Sequence, residues 1–284
     1  TPYVASTRPG NWRPAAGATA ATPNWGKTDP FTLNGDSPEG WRATFRPPIP
    51  AGASSTADLL RSAAYTAQFD EVKSLGRFDS AARTPDQTDI ARFWANDLDG
   101  TSKPPGQLFG ITKTVAVDHG LDVPATARLF ALVAAAMADA AIVAWDAKYD
   151  TELDLWRPDT AIQLAALDGN KDTAADPLWQ PLSQEYGGRR FSPPFPAFVS
   201  GHATFAAAHA GVMRAVFGDA TTFEATTEDP FYTGLPRNYA TFSAAAEENA
   251  LSRIYLGVHY RWDADFGMAA GYEVADRVMA TLLL

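Results

Sequence analysis

The 284-residue chain contains no cysteine. That absence excludes a disulfide framework, thiolate catalysis and any Cys-ligated zinc or iron–sulfur site. Histidine is scarce, four in all, so each can be weighed singly. Strand signals are nearly missing: alternating β-branched runs are few, and no Asn-Gly or Asp-Gly pair joins two of them. Positive charge is in deficit, with 23 Lys and Arg against 33 Asp and Glu, a net charge of −10. Duplex binding needs a basic face that releases counterions, and anionic lipid attracts basic segments, so nucleic acid and membrane surfaces are poor partners. An anion bound here must be held by a local cluster of cations against the global field.

One run tests membrane insertion. Leu129 to Trp145 is apolar except for Asp139. It is rich in Ala, which drives insertion weakly, whereas a spanning helix wants about 20 strongly apolar residues. The expectation is a buried core helix of a soluble protein. The chain opens Thr1-Pro2 without Met, which points to a processed precursor or a trimmed chain and leans towards a secreted or periplasmic location.

What is present divides into two parts. Residues 1–54 read as an extended arm packed on the body. The first fifty hold nine of the 21 prolines, with Trp12, Trp25 and Trp41 among them. Proline removes a backbone donor and blocks helix, while the tryptophans would pin the arm down. Residues 55–284 read as a single helical catalytic domain. Ser55 with Asp58 opens a helix over 57–75, with Gly76 at its C-terminal end. Thr84-Pro85-Asp86-Gln87 is a capping box for a helix to about Asn96. Asp122 and Pro124 open the Ala-rich helix towards Lys148, and further helices are expected at 157–167, 200–217, 242–259 and 264–283. The fold class is all-α, a helical bundle with long loops. The Asp168–Asp172 loop lacks the alternating ligands and closing glutamate of a calcium loop.

His119, in a turn context, and His209, two turns beyond His202, read as structural. Ser200-Gly201-His202 differs, because it opens a helix after Pro193-Pro194-Phe195-Pro196. A helix N-terminus offers unpaired N–H groups to an anion. Gly201 allows close approach, Ser200 adds a hydroxyl and His202 can carry a proton. Taken alone, the triplet is also a fair N-cap. In Ser252-Arg253…Gly257-Val258-His259…Asp263, His259 and Asp263 at i, i+4 would meet on one helical face, the aspartate fixing the imidazole tautomer. Gly257 would make room for the Arg253 guanidinium. A surface ion pair explains Arg and Asp but not His and Gly. Lys148 and Arg157 flank the end of the apolar helix, where burial is costly unless they meet an anion. Together these residues describe a pocket that fits a dense tetrahedral oxyanion.

Lys148…Arg157-Pro158, Ser200-Gly201-His202 and Ser252-Arg253…His259…Asp263, in that order, resemble the superfamily joining vanadium-dependent haloperoxidases to type 2 phosphatidic acid phosphatases and bacterial acid phosphatases. Ala91–Asp97, Asp139–Lys148, Trp156-Arg157-Pro158 and Pro194–Phe198 resemble the haloperoxidase branch. The resemblance implies a vanadate cofactor, replaceable by phosphate, with His259 bonding vanadium. It implies Lys148, Arg157, Arg253, Ser200 and Gly201 on the equatorial oxygens, and His202 as acid–base group. Asp97 would pair with Arg253, and Trp145 and Phe195 would border the halide, bromide or chloride. The implied activity is a peroxidase-class halide oxidation by hydrogen peroxide to hypohalous acid, which halogenates a small organic acceptor. The alternative is a soluble acid phosphatase working through a phosphohistidine at His259. Trp145 and Phe195 suit a halide and have no evident role in ester cleavage.

Two departures stand out. Val199 replaces the Pro that usually precedes Ser-Gly-His. Eight residues separate Lys148 from Arg157, where the family pattern has six. On a continuous helix the usual spacing aligns the side chains within roughly 20°, and this one opposes them by roughly 180°. A bulge or looped turn over Tyr149–Leu155 is therefore expected if Lys148 is to reach the anion. Halide preference, the organic substrate and oligomeric state, a homo-oligomer included, stay open.

Overall fold

The computed structural model describes residues 2–15, 17–33 and 40–282. Thr1, Ala16 and 34–39 of the arm, and Leu283 at the end of the helix expected over 264–283, lie outside the described residues. Among the described residues ten α-helices follow in order: α1 Arg42–Phe45, α2 Thr56–Leu60, α3 Ala63–Leu75, α4 Pro85–Phe93, α5 Lys103–Asp118, α6 Val123–Tyr149, α7 Pro158–Gln163, α8 Gly201–Phe217, α9 Phe242–Tyr255 and α10 Arg261–Thr281. A small antiparallel ribbon, β1 Phe223–Ala225 with β2 Arg237–Tyr239, interrupts the loop between α8 and α9. The protein is all-α.

Helix starts follow local chemistry. Ser55 accepts from the Asp58 amide, Thr84 and Gln87 form the reciprocal capping box, and Asp122 accepts from Ala125. Each pairing satisfies a donor that the first turn cannot. Ser62 takes the Tyr65 amide, and this second cap divides the expected helix over 57–75 into α2 and α3. The helix α5 was not among the expected helices. It opens Lys103-Pro104-Pro105, and the prolines lie in the first turn, where missing N–H groups cost nothing.

The core is built on α8, which packs against α6, α9 and α10. Of the most apolar window of α6, 61% is buried inside the molecule, although the helix is long and apolar enough to cross a membrane. Asp139 and Asp146, both fully buried on α6, tie down the arm. Asp139 accepts from the amides of Phe31 and Thr32 and from the Thr32 hydroxyl. Asp146 accepts from Arg42 and Arg46 at 2.6 Å each. A buried carboxylate is tolerated only when satisfied in this way. Trp12 and Trp41 are buried at 3% and 7% exposure, but Trp25 is 45% exposed, so it does not pin the arm as expected.

The helix expected over 242–259 ends at Tyr255. Gly257 adopts φ +81°, a left-handed turn closed to most side chains. A Cβ there would lie 2.3 Å from the Gly76 carbonyl oxygen. Gly257 thus serves a turn and a close backbone approach, rather than clearing room for Arg253. The chain restarts as α10 at Arg261, earlier than the expected 264.

Candidate active site

His259 lies in the turn between α9 and α10, and Asp263 is the third residue of α10. They therefore meet across a helix start, not along one helical face. His259 Nδ1 donates to Asp263 Oδ2 at 2.9 Å, and the same oxygen accepts the Tyr260 amide at 3.1 Å. With the proton on Nδ1, Nε2 carries the lone pair, and Arg157 Nη1 stands 2.9 Å from it as donor. Burial first, then the charges of Arg157, Lys148 and Arg253, push His259 well below its ordinary pKa. The imidazole is neutral, with its donor nitrogen anchored and its basic nitrogen facing the cations. Burial pushes the Asp263 carboxyl up to about 7, against the pull of Lys148 and Arg157.

Arg157 caps α7, immediately before Pro158, which holds it extended at φ −73°, ψ 155°. Its Nε donates to the Phe195 carbonyl at 2.8 Å and Nη1 to the Val258 carbonyl at 2.7 Å. Arg253, in the last turn of α9, donates from Nη2 to Asp97 Oδ2 at 2.7 Å. Burial alone would raise Asp97, but Arg253 and His202 hold its carboxyl below the ordinary range. Three guanidinium donors, Arg157 Nη2 and Arg253 Nε and Nη1, are buried without a protein partner. Such donors cost about 1–3 kcal/mol each. Two guanidinium groups with spare, fixed forks fit a dense oxyanion.

Ser200 is the N-cap of α8, its Oγ accepting from Ala203 at 3.3 Å, and its amide donates to the Asp263 carbonyl at 2.8 Å. This last bond ties the start of α8 to the start of α10. His202, on the first turn, donates from Nε2 to the Ala95 carbonyl at 2.9 Å. A carbonyl only accepts, so Nδ1 is the basic nitrogen. Burial and the Arg253 charge lower His202 to about 4. Val199 follows Phe198 through a cis peptide.

Lys148, in the last turn of α6, is fully buried. The helix stops at Tyr149 and residues 150–157 form the irregular turn that the long spacing called for. Lys148 therefore enters the cluster, but its Nζ donates to the carbonyls of Pro196 at 2.9 Å, Ala197 at 3.2 Å and Val199. Burial and then Arg157 pull its amine well below the ordinary range. Three carbonyl acceptors require three N–H donors, which favours the ammonium against that pull. Lys148 thus braces the 196–199 loop and brings its charge into the cluster. Trp145 and Phe195 stand beside this group, their ring centroids 5.2 Å apart. Lys148 Nζ and the Arg157 guanidinium lie 4.9 and 4.8 Å from the Phe195 centroid.

His209 and His119 lie outside the cluster. His209 Nε2 is 3.0 Å from Thr112 Oγ1, and His119 Nδ1 is 3.0 Å from the Val115 carbonyl. Reading the sequence missed Ala95, whose carbonyl fixes the His202 tautomer. A backbone acceptor leaves no residue-type signal.

Buried arginine forks and two histidines, set in an α-helical bundle, form a cradle that fits a dense oxyanion. The model of the VCPO second helical-bundle domain matches residues 128–283, and the chain belongs to the vanadium chloroperoxidase family. Vanadium chloroperoxidase of Curvularia inaequalis is 30% identical over 272 residues, which cover 76% of this chain and 42% of that protein. A bacterial vanadium-dependent iodoperoxidase structure matches with a TM-score of 0.77 at 32% identity, over 96% of this chain and 61% of that one. A bacterial vanadium-dependent chloroperoxidase in its holo form shares the fold, with a TM-score of 0.67 at 18% identity. The chain thus spans less than two thirds of these relatives' length.

Proposed function

We propose that this chain is a vanadate-dependent haloperoxidase that oxidises halide with hydrogen peroxide to hypohalous acid. The observation that carries the reading is His259: neutral, its proton anchored on Asp263 and its basic Nε2 accepting from Arg157, in a cluster where Arg157 Nη2 and Arg253 Nε and Nη1 lack partners. His259 would hold the vanadium through Nε2, with phosphate able to occupy the same cradle. Arg157, Arg253, Ser200 and the Gly201 amide would bind the oxygens, and Lys148 would add charge. Bound vanadate supplies a Lewis acid that polarises peroxide without changing its own oxidation state. His202 would take a proton from peroxide at Nδ1, while the Ala95 carbonyl keeps its ring oriented. Asp97 would hold the Arg253 fork in plane. Trp145 and Phe195 would give halide a dry, cation-flanked edge. The same cradle accommodates a phosphomonoester with His259 as nucleophile, but two aromatic rings beside it favour halide over a hydrated ester.

The test is a pair of assays on metal-free protein with and without orthovanadate. One follows halogenation of a dione dye by peroxide with iodide, bromide or chloride, and the other cleavage of p-nitrophenyl phosphate. Halogenation that needs vanadate and vanishes in His259→Ala supports the reading. Vanadate-inhibited phosphatase activity without halogenation under any halide overturns it.

A further inference from the structure

An apolar cavity of about 430 Å³ lies on the flank of the site, between the arm, α5, α6 and α8. Four aromatic side chains, Trp25, Phe109, Trp145 and Phe205, line it with Met137 and Ala141, and among the described residues no charged side chain does. Trp145 is shared with the oxyanion cradle. A Cβ on Gly201 would come within 3.3 Å of its ring, and on its Phe195 side lie Lys148 and Arg157. The indole is fixed in place by its Nε1–H, which donates to Thr22 Oγ1 at 2.7 Å. Thr22 itself holds φ +49°, a left-handed conformation that a β-branched residue rarely adopts. The arm is thus tied to the wall between cavity and cradle. Its exposed Trp25 gains a use here: it forms the outer rim of the cavity.

We propose that this cavity binds the organic acceptor, and that the acceptor is an uncharged, fused-ring aromatic molecule. The volume falls in the range of ligand pockets, roughly 300–1,000 Å³. Rings rather than charges line it, so stacking and apolar burial select flat, uncharged partners. The reaction at this site rests on the haloperoxidase reading; the binding does not. A ring carbon of the bound acceptor takes the halogen of hypohalous acid. The carbon–halogen bond forms, the halogen–oxygen bond breaks, and the oxygen leaves as water with the ring proton. Held against Trp145, the acceptor presents one edge to the oxidant before it diffuses away.

The experiment uses the full chain with 1-naphthol as probe, and two variants that fill the cavity, Ala138→Phe and the exposed Ala134→Phe. Calorimetry without peroxide reads binding alone. Wild type is expected to bind 1-naphthol saturably, and each variant to bind roughly tenfold more weakly or worse. Bromination of a small dione by the vanadate-loaded protein should be unchanged in both variants. The ratio of 2-bromo to 4-bromo naphthol should differ from that made by free hypobromite in wild type, and return to it in the variants. Unchanged affinity in both variants, or a wild-type isomer ratio equal to that of free hypobromite, overturns the proposal. A sedimentation dimer that fails to bind 1-naphthol also overturns it, and shows a second copy covering the cavity. Saturable, variant-sensitive binding with no halogenation of any acceptor sinks the haloperoxidase reading and leaves the cavity standing.

Discussion

Replacing Arg253 by lysine keeps the charge and removes the fork, so it isolates what the guanidinium geometry does for the oxyanion. Arg253 places Nη2 on Asp97 and leaves Nε and Nη1 buried without partners. Each charge-assisted bond to an oxyanion contributes about 1.5–3 kcal/mol. A lysine ammonium can replace one of these bonds but cannot hold Asp97 and two oxygens in one plane. The expected loss is about 2–3 kcal/mol, or roughly 30–150-fold in orthovanadate affinity. Thermal denaturation reads this directly. At orthovanadate a hundredfold above its dissociation constant, the wild type should gain about 2.7 kcal/mol, a rise of roughly 5–10 °C. At the same concentration Arg253→Lys should gain only about 0.3–0.9 kcal/mol, roughly 1–3 °C. Titration calorimetry gives the affinity independently. An Arg253→Lys protein that binds orthovanadate within about threefold of wild type would show that the two orphaned donors face something other than the anion.

Asp139→Ala removes the acceptor of three donors on the arm, a cost of roughly 3–5 kcal/mol unless the arm lifts and rehydrates them. Hydrogen exchange at Phe31 and Thr32 should accelerate well before global unfolding, and unchanged exchange would refute the clamp. Burial lowers His209 to about 3, below the ordinary 6.5, so its contribution is complete above 6.5 and lost as pH falls, by roughly 3 kcal/mol at pH 4. His209→Gln should flatten that limb of the stability–pH curve, and equal slopes between pH 6.5 and 4 would count against it. Gly257→Ala meets both φ +81° and the Gly76 carbonyl at 2.3 Å, so loss of several kcal/mol is expected. Orthovanadate affinity should fall with it, because that turn carries His259; a variant melting within about 2 °C of wild type would contradict the turn's role.

Helix starts were legible where a side chain announces them, as at Ser55, Thr84, Asp122 and Ser200. The start of α5 was not, because its prolines signal a loop to local reading and a first turn only once the preceding residues are placed. Asp139 shows the same limit from another side. As an interruption in an apolar run it argued against membrane insertion, but its partners Phe31 and Thr32 are more than a hundred residues away. No local pattern encodes such a pairing. At the site, the residue types of the cradle were readable from three separated motifs, since buried Arg, Lys and His have few other uses. Their bonding was not. Lys148 turns its three donors to backbone carbonyls, and the choice between oxyanion and carbonyl depends on where the 196–199 loop passes.

The largest misreading, a continuous helix through His259, also explains how an acidic protein can hold a trivalent-sized charge density. Breaking the helix at Gly257 creates a new start at Arg261, and the Ser200 amide bonds the Asp263 carbonyl, so α8 and α10 begin side by side. Each long helix presents roughly half a positive charge at its N-terminus. Two such ends add about one charge to those of Lys148, Arg157 and Arg253, within a region from which water is excluded. The net charge of −10 is spread over the surface and screened within about 10 Å at ordinary ionic strength. A helix running unbroken from α9 into α10 would have had no N-terminus at Arg261 to set beside that of α8. The glycine turn therefore adds positive potential at the cradle as well as setting the position of His259.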